Sequence, residues 1–118
     1  VYDGAEKHYF GARYNHIDGT VEVRTGAVTW EAVGEPGVQG EEYHYHCVLK
    51  LVANAQTGKY FCVILNGQTY DASDRSVYSD TDIVTRPSMR AAVYAINSGA
   101  FLINVPVDCV IVTQNEPV

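Results

Sequence analysis

Glu42-Tyr43-His44-Tyr45-His46 is the densest run of chemistry-bearing residues in the chain. Side chains two apart on a strand project together, so Glu42, His44 and His46 are expected to share a face with Val48. Neutral imidazoles so placed are a geometry that divalent-metal sites use. A metal reading rests on His44 and His46 and needs a further ligand from His8, His16 or an acid. The plainer reading is a solvated or interfacial histidine face with no cofactor. The opposite face carries Tyr43, Tyr45, Cys47, Leu49 and Leu51. It reads either as a core stripe with two aromatics at its rim or as an aromatic platform of the kind on which sugar rings stack.

Other groupings carry less. Acid pairs such as Glu41/Glu42 or Asp80/Asp82 would serve glycoside hydrolysis only if they flanked a cleft at about 5 to 9.5 Å, which sequence adjacency does not supply. Asp74, Asp80 and Asp82 offer oxygen ligands of the type calcium takes, without a recognised loop pattern. The chain has no Gly-x-Ser-x-Gly elbow, no phosphate-cradling glycine loop and no dinucleotide fingerprint, so esterase, NTPase and NAD roles have no footing.

The elements that must position these groups are strands. Tyr60-Phe61-Cys62-Val63-Ile64-Leu65, Asn66-Gly67 and Gln68-Thr69-Tyr70-Asp71-Ala72 form a hairpin signature, because Asn and Gly take the positive φ of a two-residue turn cheaply. The turn sets Leu65 opposite Gln68, Ile64 opposite Thr69, Val63 opposite Tyr70, Cys62 opposite Asp71 and Phe61 opposite Ala72. Phe61, Val63, Tyr70 and Ala72 then make the core face. Strands are expected at Lys7 to Ile17, Thr20 to Arg24, Ala27 to Val33, Glu42 to Ala53, Lys59 to Leu65, Gln68 to Ala72, Ser88 to Ile96, Ala100 to Asn104 and Val107 to Thr113. Asp18-Gly19, Thr25-Gly26 and Asn54-Ala55-Gln56-Thr57-Gly58 punctuate them. Val21 and Val23 alternate with Glu22 and Arg24, the pattern of a strand wet on one side, and Val28, Trp30 and Ala32 share a face of the next. Two longer connections, Gly34 to Glu41 and Ser73 to Pro87, are where a rigid β scaffold displays binding groups. No apolar pattern at helical spacing is sustained over three turns. The fold expected is all-β: an antiparallel β-sandwich, jelly-roll-like, of about nine strands.

A chain of 118 residues forms one domain, 1–118, with a core of its own. Its formal net charge is −6, with only eight Lys and Arg. Duplex nucleic acid and anionic membranes reward clustered cations, so no nucleic-acid partner is expected. No apolar run reaches the ~20 residues of a membrane-spanning helix. Val1-Tyr2-Asp3-Gly4 lacks the basic start and apolar stretch of a signal peptide. Three cysteines, Cys47, Cys62 and Cys109, read as buried thiols, with one bridge between Cys47 and Cys62 open if their side chains share a face.

His46-Cys47-Val48-Leu49-Lys50-Leu51-Val52, the Thr57-Gly58-Lys59-Tyr60 turn, the Leu65-Asn66-Gly67-Gln68-Thr69-Tyr70 hairpin and Val107-Asp108-Cys109-Val110-Ile111-Val112-Thr113 together resemble the central and closing strands of concanavalin A-like jelly-roll domains, the laminin G-like and bacterial glucanase-type superfamily. The resemblance covers about half the chain and rests on structural motifs. It implies a jelly-roll sandwich and no catalytic residue, since the superfamily's catalytic acids map onto no motif here. Such domains are usually longer than this chain, so it is either a minimal version or one whose missing strands come from another chain or a removed segment; an incomplete sandwich exposes edges and an apolar sheet face, so a homo-oligomer is expected. Combined with nine tyrosines against three Phe and one Trp, the resemblance points to a non-catalytic carbohydrate-binding module with Trp30, Tyr43, Tyr45, Arg75 and Tyr78 as its contacts. The alternatives are an assembly subunit that buries its exposed faces against copies of itself, and an enzyme that is either metal-dependent at His44 and His46 or active on glycosides.

Overall fold

Three tight turns, each built on an asparagine, a glycine or both, set the register of the sheets. In the computed structural model, which describes residues 6–37 and 48–81, Asn66 and Gly67 take φ of 49° and 85°, the mirror-image turn that matches the twist of a hairpin. The pairings Leu65 with Gln68, Ile64 with Thr69, Val63 with Tyr70 and Cys62 with Asp71 follow, and the Ala72 amide donates to the Phe61 carbonyl. The other two turns are copies of one design. The Asn15 side-chain oxygen accepts the amides of Ile17 and Asp18, and the Gly19 amide returns to the Asn15 carbonyl with φ of 67°. Asn54 does the same for Gln56 and Thr57, closed by Gly58 at φ of 64°. An Asx side chain that mimics a backbone turn and a glycine free to adopt the left-handed region together end one strand and start the next.

The described residues fall in the first of two compact units, Val1–Ser88 and Met89–Val118. Among them there is no helix, and eight strands form three antiparallel sheets. Strand β1 (Lys7–Tyr9) pairs with β8 (Tyr78–Asp80), β2 (Ala12–Asn15), β3 (Thr20–Arg24) and β4 (Trp30–Gly34) form one meander, and β5 (Leu49–Asn54), β6 (Lys59–Leu65) and β7 (Gln68–Asp71) form another. The strands expected over Ser88 to Thr113, and the first part of that expected over Glu42 to Ala53, lie outside the described residues.

The two meanders share one core. Val21 and Val23 of β3 and Tyr60, Val63 and Leu65 of β6 are buried, joined by Ala72 and Val77, while β2 lies beside β5 and β4 beside β7. One expected core residue is not there. Phe61 is 43% exposed and Tyr60 is 1% exposed, because the register slips at Val52/Ala53: Val52 faces Cys62 and Ala53 faces Tyr60, leaving Phe61 as the extra residue of a β-bulge. A bulge resets the alternation of faces, so Tyr60 joins Val63 in the core. Cys62 is a buried free thiol, the core filler that its residue type suggests.

Three boundaries also differ from expectation. The run Lys7 to Ile17 is two strands in different sheets, divided at Phe10-Gly11. The strand expected from Ala27 begins at Trp30, and Val28, placed by alternation on the Trp30 face, is 90% exposed in the hairpin loop. The connection Ser73 to Pro87 contains β8, whose Tyr78, Ser79 and Asp80 pair with Tyr9, His8 and Lys7. That last pairing buries His8, whose Nδ1 lies 2.7 Å from the Ser79 hydroxyl and whose ring covers Gly58.

The Tyr60 hydroxyl closes the division between β1 and β2. It accepts the Gly11 amide at 3.0 Å and donates to the Arg24 carbonyl at 2.7 Å, while the Arg24 amide donates to the Gly11 carbonyl. At the far edge the Tyr70 ring lies directly on Gly34, where any Cβ would overlap ring carbons. Two outcomes are expected. Gly34→Ala should lower stability by about 1–3 kcal/mol as an overpacked contact, read as a lower urea midpoint at unchanged slope, with part of the loss recovered by adding Tyr70→Leu. Tyr60→Phe should cost about 1–3 kcal/mol by stranding the Gly11 amide and the Arg24 carbonyl. Burial pushes the Tyr60 phenol above its ordinary 10.0, so above that pH the unfolded chain loses its proton before the native one and stability falls with rising pH. Urea titrations at pH 9 to 11 should show a steeper decline in the wild type than in Tyr60→Phe.

Candidate functional site

Because Val21 and Val23 face the core, Thr20, Glu22 and Arg24 face outward from the same strand, and their neighbours across the sheet complete a polar and aromatic surface. Arg13 of β2 stands opposite Glu22, and Trp30 of β4 stands opposite Arg24. The Arg13 Nε donates to the Glu22 carboxylate, whose other oxygen accepts the Thr20 hydroxyl at 3.3 Å. The Arg13 guanidinium also lies 4.5 Å above the Trp30 ring, a cation–π contact worth about 0.5–2 kcal/mol.

Arg24 is held more firmly. Its Nε donates to the Gly26 carbonyl at 3.0 Å and its Nη2 to the Ala27 carbonyl at 2.6 Å, inside a loop closed by the Thr25 and Gly26 amides on the Thr29 carbonyl. Its guanidinium lies 5.2 and 5.3 Å from the ring centres of Tyr9 and Tyr78. Those rings stack at 5.2 Å as a cross-strand pair of β1 and β8, and Lys7 Nζ lies 5.0 Å over Tyr9. Among the described residues no carboxylate pairs with Arg24.

Between these groups opens a hollow of about 670 Å³ lined by Arg13, Arg24, Ala27, Val28, Thr29 and Trp30. Gly11 gives the indole its room: a Cβ there would stand 3.0 Å from Trp30 Cη2 and 3.1 Å from Arg24 Cβ. The arrangement offers an aromatic surface and guanidinium donors along an open hollow, with the Glu22 carboxylate behind Arg13, a set that recognises a polar ligand with an apolar face.

Of the residues singled out from the sequence, Trp30 lines the hollow, and Tyr78 stands behind Arg24 without lining it. Arg75 does not line the hollow. Its amide donates to the Ala72 carbonyl, its Nη1 is bound by Asp74 and its Nε lies 3.8 Å from Glu31 Oε1, which makes it a fastener between a turn and β4. Asp74, considered for calcium, is that partner. Tyr43, Tyr45, His44 and His46 lie outside the described residues, as do Glu41, Glu42 and Asp82. Among the described residues no three His, Cys, Asp or Glu side chains group to hold a metal ion. Arg13, Arg24, Tyr9 and Glu22 belong to the site and were not singled out. The wet side of Thr20 to Arg24 pointed at Glu22 and Arg24, whereas Tyr9 and Arg13 reach the surface only through pairing.

Comparison of the chain with protein-family models, with curated proteins and with solved structures gives no match.

Trp30 is the chain's one tryptophan, so its emission reports on the hollow alone. Gly11→Ala is expected to displace the indole and change the emission maximum or intensity of the folded protein, a readout that an effect on stability alone would not produce under native conditions. Unchanged emission would contradict the close packing of Gly11 against Trp30.

Proposed function

We propose that the protein is a non-catalytic carbohydrate-binding module, a β-sandwich of jelly-roll type similar to concanavalin A-like domains, whose ligand sits in the Trp30 hollow. The observation that carries this reading is an indole lining an open hollow together with two guanidiniums, Arg13 over its ring and Arg24 on the neighbouring strand, aromatic surface and hydrogen-bond donors converging on one side of the sheet. Sugar rings offer apolar C–H faces to an indole and hydroxyls to Arg. Two meanders sharing one core support the sandwich. Tyr78 contributes indirectly, by seating Arg24. Affinity electrophoresis through gels containing a panel of neutral and acidic polysaccharides is expected to retard the wild-type protein on at least one of them, and Trp30→Ala should lose that retardation. Migration unaffected by every polysaccharide, or equal retardation of the variant, would sink the reading.

A second reading is an assembly subunit that forms homo-oligomers. Its motive is the exposed apolar surface on and beside β5 and β6, Val48, Leu49 and Phe61 at 58%, 38% and 43%, which a partner copy would cover. Light scattering decides it: a concentration-independent monomer removes the motive, and a dimer that dissociates on Phe61→Glu supports it.

A further inference from the structure

Resting on the carbohydrate reading, we propose that the hollow selects anionic sugars, polysaccharides bearing carboxylate or sulfate groups, with Arg24 as the anion-binding residue. The chain as a whole is acidic, with 14 Asp and Glu against eight Lys and Arg, yet the groups converging here include a guanidinium with no carboxylate partner among the described residues. Among the described residues Arg13 is already shared with Glu22, and of the two guanidiniums at the hollow Arg24 is the one without a carboxylate. Its side chain is fixed without being neutralised: a guanidinium carries five N–H donors, of which one on Nε and one on Nη2 go to the Gly26 and Ala27 carbonyls, leaving three (5 − 2). Neutral carbonyls and two tyrosine rings orient the group at no expense of its charge, so the ordering entropy is settled before a ligand arrives. A planar fork held in this way suits a carboxylate or sulfate oxygen pair, and the neighbouring indole would take the sugar's apolar face.

The same cations and rings could suggest a single-stranded nucleic acid, which also brings anions and flat surfaces. Base stacking needs open aromatic faces, and here Tyr9 and Tyr78 stack on each other beneath Arg24, with Lys7 over Tyr9. The tyrosines hold cations in place and the Arg13 guanidinium lies 4.5 Å over the Trp30 ring, so no series of open rings is offered to successive bases, which favours a ligand that reads charge at Arg24 and packs beside the indole.

The test is titration of the full chain, followed by Trp30 emission, with neutral dextran, polygalacturonate, dextran sulfate and a single-stranded oligonucleotide, each at low and at physiological salt. Binding to polygalacturonate or dextran sulfate at least about tenfold tighter than to neutral dextran is expected, weakening with salt; the tighter of the two tells carboxylate from sulfate. Arg24→Gln should reduce that affinity by about tenfold or more, the scale of a charge-assisted hydrogen-bonded pair. Because Arg24 also secures its loop, Arg13→Gln, which leaves that loop intact, is the second variant and should weaken binding while preserving the preference for the acidic polymers. Equal affinity for neutral and acidic polymers overturns the anionic selectivity and leaves the carbohydrate reading standing. Binding to none of the sugars overturns both. Tightest binding to the oligonucleotide, or an acidic preference that survives intact in a folded Arg24→Gln, likewise overturns the proposal.

Discussion

The Tyr60 hydroxyl is the point on which the arrangement of the sheets turns. Where β1 gives way to β2, the chain leaves one sheet for another, and the backbone groups at the division have no regular strand partner. A buried amide or carbonyl left unpaired costs on the scale of a whole hydrogen bond. One phenol answers for two of them, taking the Gly11 amide and giving its proton to the Arg24 carbonyl, while its ring meets Phe10 edge-on at 5.8 Å. Strand β6 of one meander is thereby tied both to the end of β3 in the other and to the crossing between β1 and β2. The bulge at Phe61 is what turns Tyr60 inward to do this, and an exposed phenylalanine is its cost.

The surface site inherits its geometry from that tie. With the Arg24 backbone fixed by Tyr60 and Gly11, its side chain is aimed along the outer face toward the loop carbonyls of Gly26 and Ala27 and over the Tyr9 and Tyr78 pair. Gly11 serves twice, since its backbone bonds Tyr60 and Arg24 and its lack of a side chain leaves space for the Trp30 indole. Core and surface are therefore coupled through two residues, and the guanidiniums at the hollow are held by rings and carbonyls more than by carboxylates, which is how a chain with a net charge of −6 keeps a locally cationic face.

Local order was legible from residue types. The Asn66-Gly67 register, the Asn54 to Gly58 turn and the wet side of Thr20 to Arg24 each depend on neighbours within a few positions, and each stands in the structure. The failures were all places where distant segments overrule alternation. Phe61 was assigned to the core because a strand read alone has period two, and only the pairing of β6 with β5 introduces the extra residue. Val28 was placed beside Trp30 although the hairpin turns before it. The polar stretch after Ser73 looked like a loop because β8 gains its strand character from Lys7–Tyr9.

By itself, then, the sequence determined the antiparallel hairpins of the described residues, the turns that join them and an outward-facing Arg24, since these follow from φ preferences and two-residue periodicity. Tertiary structure alone decided which hairpins face each other, where β1 parts from β2 and that Trp30, Arg13, Arg24 and the tyrosine pair meet. The bonds responsible join residues 71, 49 and 36 positions apart, His8 to Ser79, Gly11 to Tyr60 and Arg24 to Tyr60, and contacts at such separations leave no periodic trace along a chain.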